Sequence, residues 1–208
     1  PYNAYTKASD GDISAMFAYL KSIKPVNKSP KKNDLAFPFN LRPLMAFWKL
    51  LYFQPGVFEV SEGKSDQWNR GAYLVEALAH CSACHTPRNL LGAERATAHM
   101  AGGEFLDLVS RERYRTWSAP NLTATNRGLS LWSEQDLADY LKTARNDILE
   151  SFGPMNEVII NSTRYLEEQD VKAMVTYLKS LTAVPERDAV APAPEVMGRG
   201  RTIYNLHC

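Results

Sequence analysis

Two cysteines and a histidine at positions 81, 84 and 85 form the pattern Cys-x-x-Cys-His. Residues three apart lie on one face of a helix, so the sulfur atoms of Cys81 and Cys84 could add to the two vinyl groups of one porphyrin. The imidazole of His85 would then lie under the same ring and could ligate its iron. This is the attachment pattern of c-type haem. With 3 cysteines and 4 histidines in 208 residues, a chance match is rare.

Two other kinds of site use a pair of close cysteines. A structural zinc site needs four ligands, and the sequence has no second close cysteine pair. A thioredoxin-like dithiol belongs to a βαβ unit, whereas the residues around Cys81 have a helical pattern. The sequence therefore favours covalent haem over zinc or dithiol redox chemistry.

Composition sets the broad class of the protein. The net charge is +1 and 45% of the residues are hydrophobic, which is enough for a core and gives no indication of nucleic-acid binding. No run reaches the ~18 apolar residues of a membrane-spanning helix. The chain begins at Pro1 without the export signal that periplasmic haem attachment requires, so we expect it to be a fragment.

An internal repeat indicates the domain organisation. Residues 12–23 and 170–181 match at a constant offset of 158, sharing Asp, Ala, Met and Tyr-Leu-Lys-Ser at the same places. Both copies carry an apolar stripe at helical spacing, and two homologous modules should therefore end near residues 24 and 184. In the first copy the predicted buried face contains Ile13, Met16, Phe17 and Leu20.

Further helices are predicted from apolar spacing and capping residues. They should cover Trp68 to His80, a stretch from Ser133 to about Leu141, and Glu167 to Leu181, where Val171, Met174, Val175 and Leu178 should face the first helix of the module. Residues 92–117 look irregular. Three arginines in that region, Arg111, Arg113 and Arg115, could meet haem propionates or form a solvated basic face.

Residues 36–58 contain Leu44, Phe47, Trp48, Leu51 and Tyr52 at helical spacing, interrupted by charged residues and prolines. The run is too short and too broken to cross a bilayer. Two interpretations stay open: a connector helix packed across the haem modules, or a segment that docks on a partner or on a membrane surface.

The same order of motifs resembles class I cytochromes c. In that class a Pro-Asn-Leu segment follows the haem motif, and the resemblance implies that the Pro120 carbonyl accepts a hydrogen bond from His85. The class supplies its second axial ligand from a methionine ahead of the last helix, which here implies Met155, in a predicted loop at Gly153-Pro154-Met155. Met100, His80 and His99 remain competitors for that position.

Gly200 and Tyr204 stand eight and four residues before Cys208, as a glycine and an aromatic residue do in the first helix of class I cytochromes c. The resemblance implies that Cys208 begins another Cys-x-x-Cys-His motif; a lone buried or free cysteine is the alternative. Ahead of Cys81 the same two places hold Tyr73 and Ala77, which departs from the usual pair and leaves the helix crossing open.

Nearly the whole chain resembles the three-haem cytochrome c subunits of bacterial membrane-bound alcohol, gluconate, sorbitol and fructose dehydrogenases. The stretches that carry this resemblance are Arg70 to Val75, Cys81 to Asn89, Ala119 to Thr123, Gly153 to Met155 and the paired Tyr-Leu-Lys-Ser endings. The resemblance implies electron transfer by haem c from a catalytic dehydrogenase subunit to ubiquinone or another acceptor, in the periplasm at the cell membrane. A chain of this kind would not be catalytic alone, but part of a complex that oxidises CH–OH donors.

We therefore expect an all-α fold of tandem class I cytochrome c modules, one complete and two truncated. The expected units are a module tail at 1–24, a connector at 25–64, a complete module at 65–184, an Ala/Pro linker at 185–198 and the start of a third module at 199–208. A catalytic haem enzyme such as a peroxidase, or a cytochrome domain of an oxidase or sensor, is the alternative function.

Overall fold

The structure is a computed structural model that describes residues 2–32, 35, 37–38, 40–110, 113–185 and 192–207, without the side chains of residues 108–110. In these residues the helices are α1 (Tyr2–Tyr5), α2 (Asp10–Ser22), α3 (Arg42–Tyr52), α4 (Asp66–Tyr73), α5 (Ser82–His85), α6 (Glu134–Thr143), α7 (Pro154–Asn161), α8 (Glu168–Lys179) and α9 (Pro194–His207). A hairpin of β1 (Gly103–Ser110) and β2 (Arg113–Ala119) completes the regular structure.

The crossing of α4 and α8 forms the centre of the core. A Cβ atom at Gly71 would lie 1.9 Å from the carbonyl oxygen of Ala173, so only glycine allows the two backbones to approach this closely. The four α8 residues predicted to face the first helix are all buried here. The cluster contains Ala72, Leu74, Val75, Met100, Leu129, Leu137, Leu141, Val171, Met174, Val175, Tyr177 and Leu178.

A π-helical turn at Leu74–Leu78 separates α4 from the cysteine motif. Its backbone bonds reach one residue further than in an α-helix, as when the Ala79 N–H donates to the Leu74 carbonyl oxygen at 2.8 Å. His80 then adopts the left-handed φ of 42°. The extra residues place the crossing glycine ten positions before Cys81 instead of eight, which is why Tyr73 and Ala77 do not match the expected pair. The helix predicted from Trp68 to His80 thus starts at Asp66 and changes form at Leu74.

The prediction of a purely α-helical fold is wrong for residues 103–119, where the sequence analysis predicts irregular structure. Here β1 and β2 pair antiparallel, with Phe105 opposite Trp117. Aromatic and β-branched residues such as Tyr114 and Thr116 favour strands because they pack well across a pleated surface. The described part of the chain is about half helical, with one small sheet. The aromatic and β-branched residues of β2 were the available signal for the hairpin.

Capping residues start the helices that follow the hairpin. The Ser133 hydroxyl accepts the Asp136 N–H at 3.0 Å, and the Asp136 carboxylate accepts the Ser133 N–H at 2.8 Å, which forms a capping box. This confirms the predicted start of α6. Gly153, at φ 62°, precedes Pro154, which is the first residue of α7. Met155 therefore lies in the first turn of a helix and not in a loop ahead of one.

Helices α2 and α3 expose apolar faces that the sequence analysis expected to be packed. Helix α2 forms as predicted, but Ile13, Met16, Phe17 and Leu20 are exposed, because no element in the described part of the chain packs closely against that face. The α3 helix also forms, but only two of its five predicted apolar positions are even partly buried. Trp48 and Tyr52 are half-buried, whereas Leu44, Phe47 and Leu51 are exposed.

Within the described residues no helix combines the length and apolar character needed to span a bilayer. The proposed division of the chain into tandem modules stays a prediction, and Cys208 and Arg111 lie outside the described residues.

Candidate haem-attachment site

Cys81 and Cys84 lie on one short helical turn that follows the π-helical segment. The Cys81 N–H donates to the Val75 carbonyl oxygen at 3.1 Å, and the His85 N–H donates to the Cys81 carbonyl oxygen at 3.0 Å. Both cysteines are free and partly buried. Burial raises the pKa of the Cys81 thiol to about 12, and burial also raises the pKa of Cys84. Both sulfurs are therefore neutral thiols at neutral pH, three residues apart.

The His85 ring is fixed by a hydrogen bond to the backbone. Its Nδ1 lies 2.8 Å from the Pro120 carbonyl oxygen. A carbonyl oxygen only accepts, so Nδ1 must carry the hydrogen and the Nε2 lone pair of a neutral ring remains available to a metal. Burial lowers the pKa of His85, and the bond to Pro120 offsets only part of this effect. The resemblance to class I cytochromes c implied this same contact.

A glycine-containing loop wraps around the helical turn that carries His85. The Met100 N–H donates to the Thr86 hydroxyl at 3.0 Å, and the Gly102 N–H donates to the His85 carbonyl oxygen at 2.9 Å. A Cβ atom at Gly103 would lie 2.4 Å from the Cys84 carbonyl oxygen, so the loop can approach this closely only without a side chain there. Sequence reasoning missed this loop, although its paired glycines were a signal of close backbone approach.

Met155, the proposed second ligand, is partly buried and packs against the core cluster from the start of α7. Its role as a ligand stays a prediction. Among the competitors, Met100 is fully buried inside the core cluster. The ring of His80 lies edge-on to Tyr5, with ring centroids 5.5 Å apart.

The remaining competitor, His99, belongs to a partly buried cluster around Glu76 that the sequence did not reveal. Its Nε2 lies 2.8 Å from Oε1 of Glu76, a carboxylate in the π-helical turn. The Tyr177 hydroxyl donates to the same oxygen at 2.8 Å, and Lys7 Nζ donates to Oε2 at 3.1 Å. Nothing in the spacing of these four residues along the chain indicated that they meet.

Two of the three arginines considered as propionate partners, Arg113 and Arg115, lie on β2. Arg113 and Arg115 are exposed, and the Arg115 guanidinium lies over the Trp117 ring, 5.4 Å from its centroid. Among the described residues, no group of three or more His, Cys, Asp and Glu side chains could hold a metal ion, so the zinc alternative gains no support there.

The comparison with protein families decides what this arrangement represents. The family model for cytochrome c matches residues 69–182, which include most of α4, the Cys-x-x-Cys-His turn, the hairpin and α8. The chain belongs to the cytochrome c family. The packed helices α4 and α8, together with His85, are thus parts of a cytochrome c domain. The protein carries covalently bound haem c.

Curated relatives of this cytochrome c are subunits of dehydrogenases. The chain is 40% identical over 204 residues to the fructose dehydrogenase cytochrome subunit of Gluconobacter japonicus, covering 96% of this chain and 40% of that protein. It is 38% identical to the gluconate 2-dehydrogenase cytochrome c subunit of Pantoea cypripedii, covering 88% and 42%. It is 35% identical to the cytochrome c subunit of the quinone-dependent alcohol dehydrogenase of Gluconobacter oxydans, covering 89% and 39%. The chain thus spans less than half the length of these relatives.

The residues at the site fit a haem. Two neutral thiols stand three residues apart on one turn, and the adjacent imidazole presents Nε2 because the Pro120 carbonyl oxygen takes its Nδ1 hydrogen. Fixing the second ring nitrogen in this way orients a ligating histidine and increases its basicity. Cys81 and Cys84 would hold the porphyrin, and His85 would hold the iron.

Proposed function

We propose that this cytochrome c carries electrons one at a time from a partner dehydrogenase subunit to ubiquinone or another acceptor. The observation that carries the proposal is the hydrogen bond from His85 Nδ1 to the Pro120 carbonyl oxygen beside the two free thiols. It supports a permanently ligating, neutral imidazole. Haem c supplies the one-electron redox chemistry, and the protein supplies ligation, orientation and burial.

In this proposal each residue has a separate role. Cys81 and Cys84 would hold the porphyrin through thioether bonds, and His85 and Met155 would hold its iron. Pro120 is a positioning residue that acts through His85. A methionine thioether would raise the reduction potential, and ligation by both residues would leave the iron no position for a substrate, which favours electron transfer. The chain alone would then not oxidise a substrate.

The Met155 assignment is tested by replacing each candidate methionine with leucine, which removes the sulfur and nearly keeps the volume. For Met155→Leu we expect a lower midpoint potential and binding of carbon monoxide to the reduced haem. Met100→Leu is the matched control, in which the potential and the lack of carbon monoxide binding should remain. The opposite pattern would assign the ligand to Met100. Rapid carbon monoxide or peroxide binding by the unaltered protein would favour the peroxidase-like alternative.

The proposed partners follow from the relatives. The cytochrome subunits of fructose and gluconate 2-dehydrogenase support a catalytic dehydrogenase as the electron donor. We infer a complex acting on a CH–OH donor in the periplasm, at the cell membrane. Reduction of the haem by a co-purifying dehydrogenase and its substrate would test the electron donor. Reoxidation of the haem with a soluble ubiquinone analogue would test the electron acceptor. A haem that the dehydrogenase reduces but quinone does not reoxidise would exclude quinone as the acceptor.

Helix α3 and the segment before it support association with a membrane surface. Phe47, Leu50 and Leu51 are exposed on α3. Residues 21–58 hold seven basic residues and one acidic residue in a chain of net charge +1. Exposed apolar side chains next to clustered positive charge are typical of helices that lie in the interface of an anionic bilayer.

Sedimentation with vesicles tests this association. We expect the protein to bind vesicles that contain anionic lipid and to lose binding when Leu50 is replaced by Glu. Leu131→Glu is the control, because Leu131 is similarly exposed but lies beyond the hairpin. Equal binding by both variants would leave α3 without a role at the membrane.

We also propose that residues 1–24 end one module and residues 199–208 begin another, on either side of a complete module at 65–184. The exposed apolar face of α2 and the exposed Ile203 and Tyr204 of α9 support this division, since each helix then has a face suited to a partner helix. Cys208 would be the first cysteine of the next haem motif. Haem quantification in a Cys81→Ala, Cys84→Ala variant of the longest expressed chain would count the haems that remain.

A further inference from the structure

The buried carboxylate of Glu76 is the centre of a charged cluster beside the haem-attachment turn. Glu76 is 8% exposed, and its two oxygens accept hydrogen bonds from Lys7, His99 and Tyr177. These partners come from three separate segments: the N-terminal segment, the loop after α5, and α8. A buried carboxylate stays ionised only when hydrogen bonds and nearby positive charges offset the cost of removing it from water.

Two backbone contacts connect this cluster to the haem ligands. Val75, which adjoins Glu76, accepts the Cys81 N–H at 3.1 Å through its carbonyl oxygen. The loop that carries His99 continues to Gly102, whose N–H donates to the His85 carbonyl oxygen at 2.9 Å. Glu76 is close enough that its charge contributes to the raised pKa of the Cys81 thiol. A charge change at His99 therefore occurs near the sulfur that binds the porphyrin.

The members of the cluster respond differently to pH. Burial alone would raise the pKa of Glu76, but the hydrogen bonds and charges of His99, Lys7 and Tyr177 outweigh it and lower the pKa to about 2. The hydrogen bond to Glu76 raises the pKa of His99 above its ordinary value; burial and Lys7 oppose this shift, and Glu94 adds to it. Burial and the charge of Glu76 raise the pKa of Tyr177. His99 is thus the member of this cluster whose ordinary pKa lies nearest to neutral pH, and its contact with Glu76 moves that pKa upward.

We propose that His99 takes up a proton when the haem at Cys81 and Cys84 is reduced, and that Glu76 is the positioning residue for this proton. Because the Glu76 carboxylate accepts from Nε2, the proton that comes and goes is on Nδ1. One electron from the donor reduces ferric iron to ferrous iron, and one proton from solvent adds to Nδ1. The His99 side chain is 37% exposed, which gives this proton a path to solvent.

The coupling follows from electrostatics and is reciprocal. An added electron makes the haem more negative and stabilises the positive imidazolium, and the protonated imidazole in turn makes reduction more favourable. We expect protonation of His99 to increase the equilibrium constant for reduction roughly threefold to tenfold, which is about 30 to 60 mV for one electron. The midpoint potential should therefore fall as pH rises through the pKa of His99 and be flat well above and below it.

This inference rests on the proposed electron-transfer function, and two measurements on the haem-loaded protein test it. The first is the NMR titration of His99 in the oxidised and the reduced protein, where the pKa of His99 should be higher in the reduced state. The second is the midpoint potential of this haem between about pH 5 and pH 9 in the unaltered protein and in His99→Gln. The pH dependence across the His99 range should disappear in the variant.

Two further variants separate a proton-linked role from a structural one. His207→Gln, in the exposed end of α9, is the matched control and should keep the full pH dependence. Glu76→Gln keeps the shape and some of the hydrogen bonds but removes the charge, so it should move the pH-dependent region to lower pH. An identical pKa of His99 in both oxidation states, or an unchanged profile in His99→Gln, would overturn the inference while leaving electron transfer intact. A protein that takes up no haem, or whose haem cannot be reduced, would instead refute the proposed function.

Discussion

Helices α2 and α8 are copies of one sequence pattern that have opposite surroundings. Met174 in α8 is 1% exposed, whereas its repeat partner Met16 in α2 is 41% exposed. The α8 face packs against α4, where Gly71 allows close approach; the described part of the chain offers α2 no such partner. The repeat therefore specifies an amphipathic helix, while burial depends on whether a complementary helix reaches it.

The aspartates at the start of the two copies show the same divergence. Asp170 accepts two hydrogen bonds from the Arg70 guanidinium, at 2.8 and 2.7 Å. Asp12 instead accepts from the hydroxyl of Tyr73, three residues further along α4. Helix α4 thus contacts both aspartates. Its Arg70 forms an ion pair with Asp170 of α8, and its Tyr73 donates a hydrogen bond to Asp12 of α2. The same residue type therefore makes different contacts in the two copies, because a different side chain of α4 lies next to each aspartate.

The largest expected effect is at the crossing itself. Gly71→Val would force a side chain into the Ala173 backbone, which cannot rotate away, so we expect a loss of more than about 4 kcal/mol in the free energy of unfolding. Gly200→Val in α9 is the control, because a Cβ atom there meets nothing within 4 Å. It should change stability by less than about 0.5 kcal/mol. Urea unfolding measures the stability of both variants. Similar losses would mean that the close crossing at Gly71 is not what distinguishes the buried α8 from the exposed α2.

A smaller effect is expected from deleting the matched methionines. Met174→Ala leaves a cavity in the core cluster and should cost about 2 to 5 kcal/mol. Met16→Ala in the same 208-residue chain should cost less than about 0.5 kcal/mol, because the side chain is already in solvent. Thermal or urea unfolding provides the comparison. A cost for Met16→Ala close to that of Met174→Ala would show that α2 is covered in solution.

The smallest effect is expected at the Arg70–Asp170 ion pair. Arg70→Gln should cost no more than about 1 kcal/mol, since the Arg70 side chain is about half exposed and its ion pair is screened by salt. The hydrogen bond from Arg70 lowers the pKa of Asp170 below its usual 3.8. The stabilisation is thus present above about pH 4 and is lost as pH falls through the lowered pKa. The stability difference between the unaltered protein and Arg70→Gln should shrink in acid and in about 1 M salt, and a difference that persists in both would point to packing instead of charge.

Local spacing was sufficient to predict several features. The Cys-x-x-Cys-His pattern predicted haem c, and the family comparison agrees. Apolar periodicity and Ser133 predicted α6, and the same periodicity predicted α8. The class I resemblance also implied the contact between His85 and Pro120, which are 35 residues apart. The haem motif and the two helices each follow from a few neighbouring residues, whereas the contact between His85 and Pro120 was implied only by the resemblance to class I cytochromes c.

Other features depend on segments that meet only after folding. The pairing of β1 with β2 and the first-turn position of Met155 differ from the sequence expectation. The helix crossing, which the sequence left open, lies at Gly71 ahead of a π-helical turn. The cluster of Lys7, Glu76, His99 and Tyr177 draws on residues from position 7 to position 177.

The amino-acid sequence by itself indicated the cofactor and the helices α2, α3, α6 and α8, because these depend on residue types at short fixed spacings. His85 remains the ligand that the same motif predicts. Only the tertiary structure decided which copy of the repeat is buried and which donors keep Glu76 charged. Those outcomes depend on close approach between distant parts of the chain, where a glycine at a crossing or a histidine on a loop acts only through its neighbour in space.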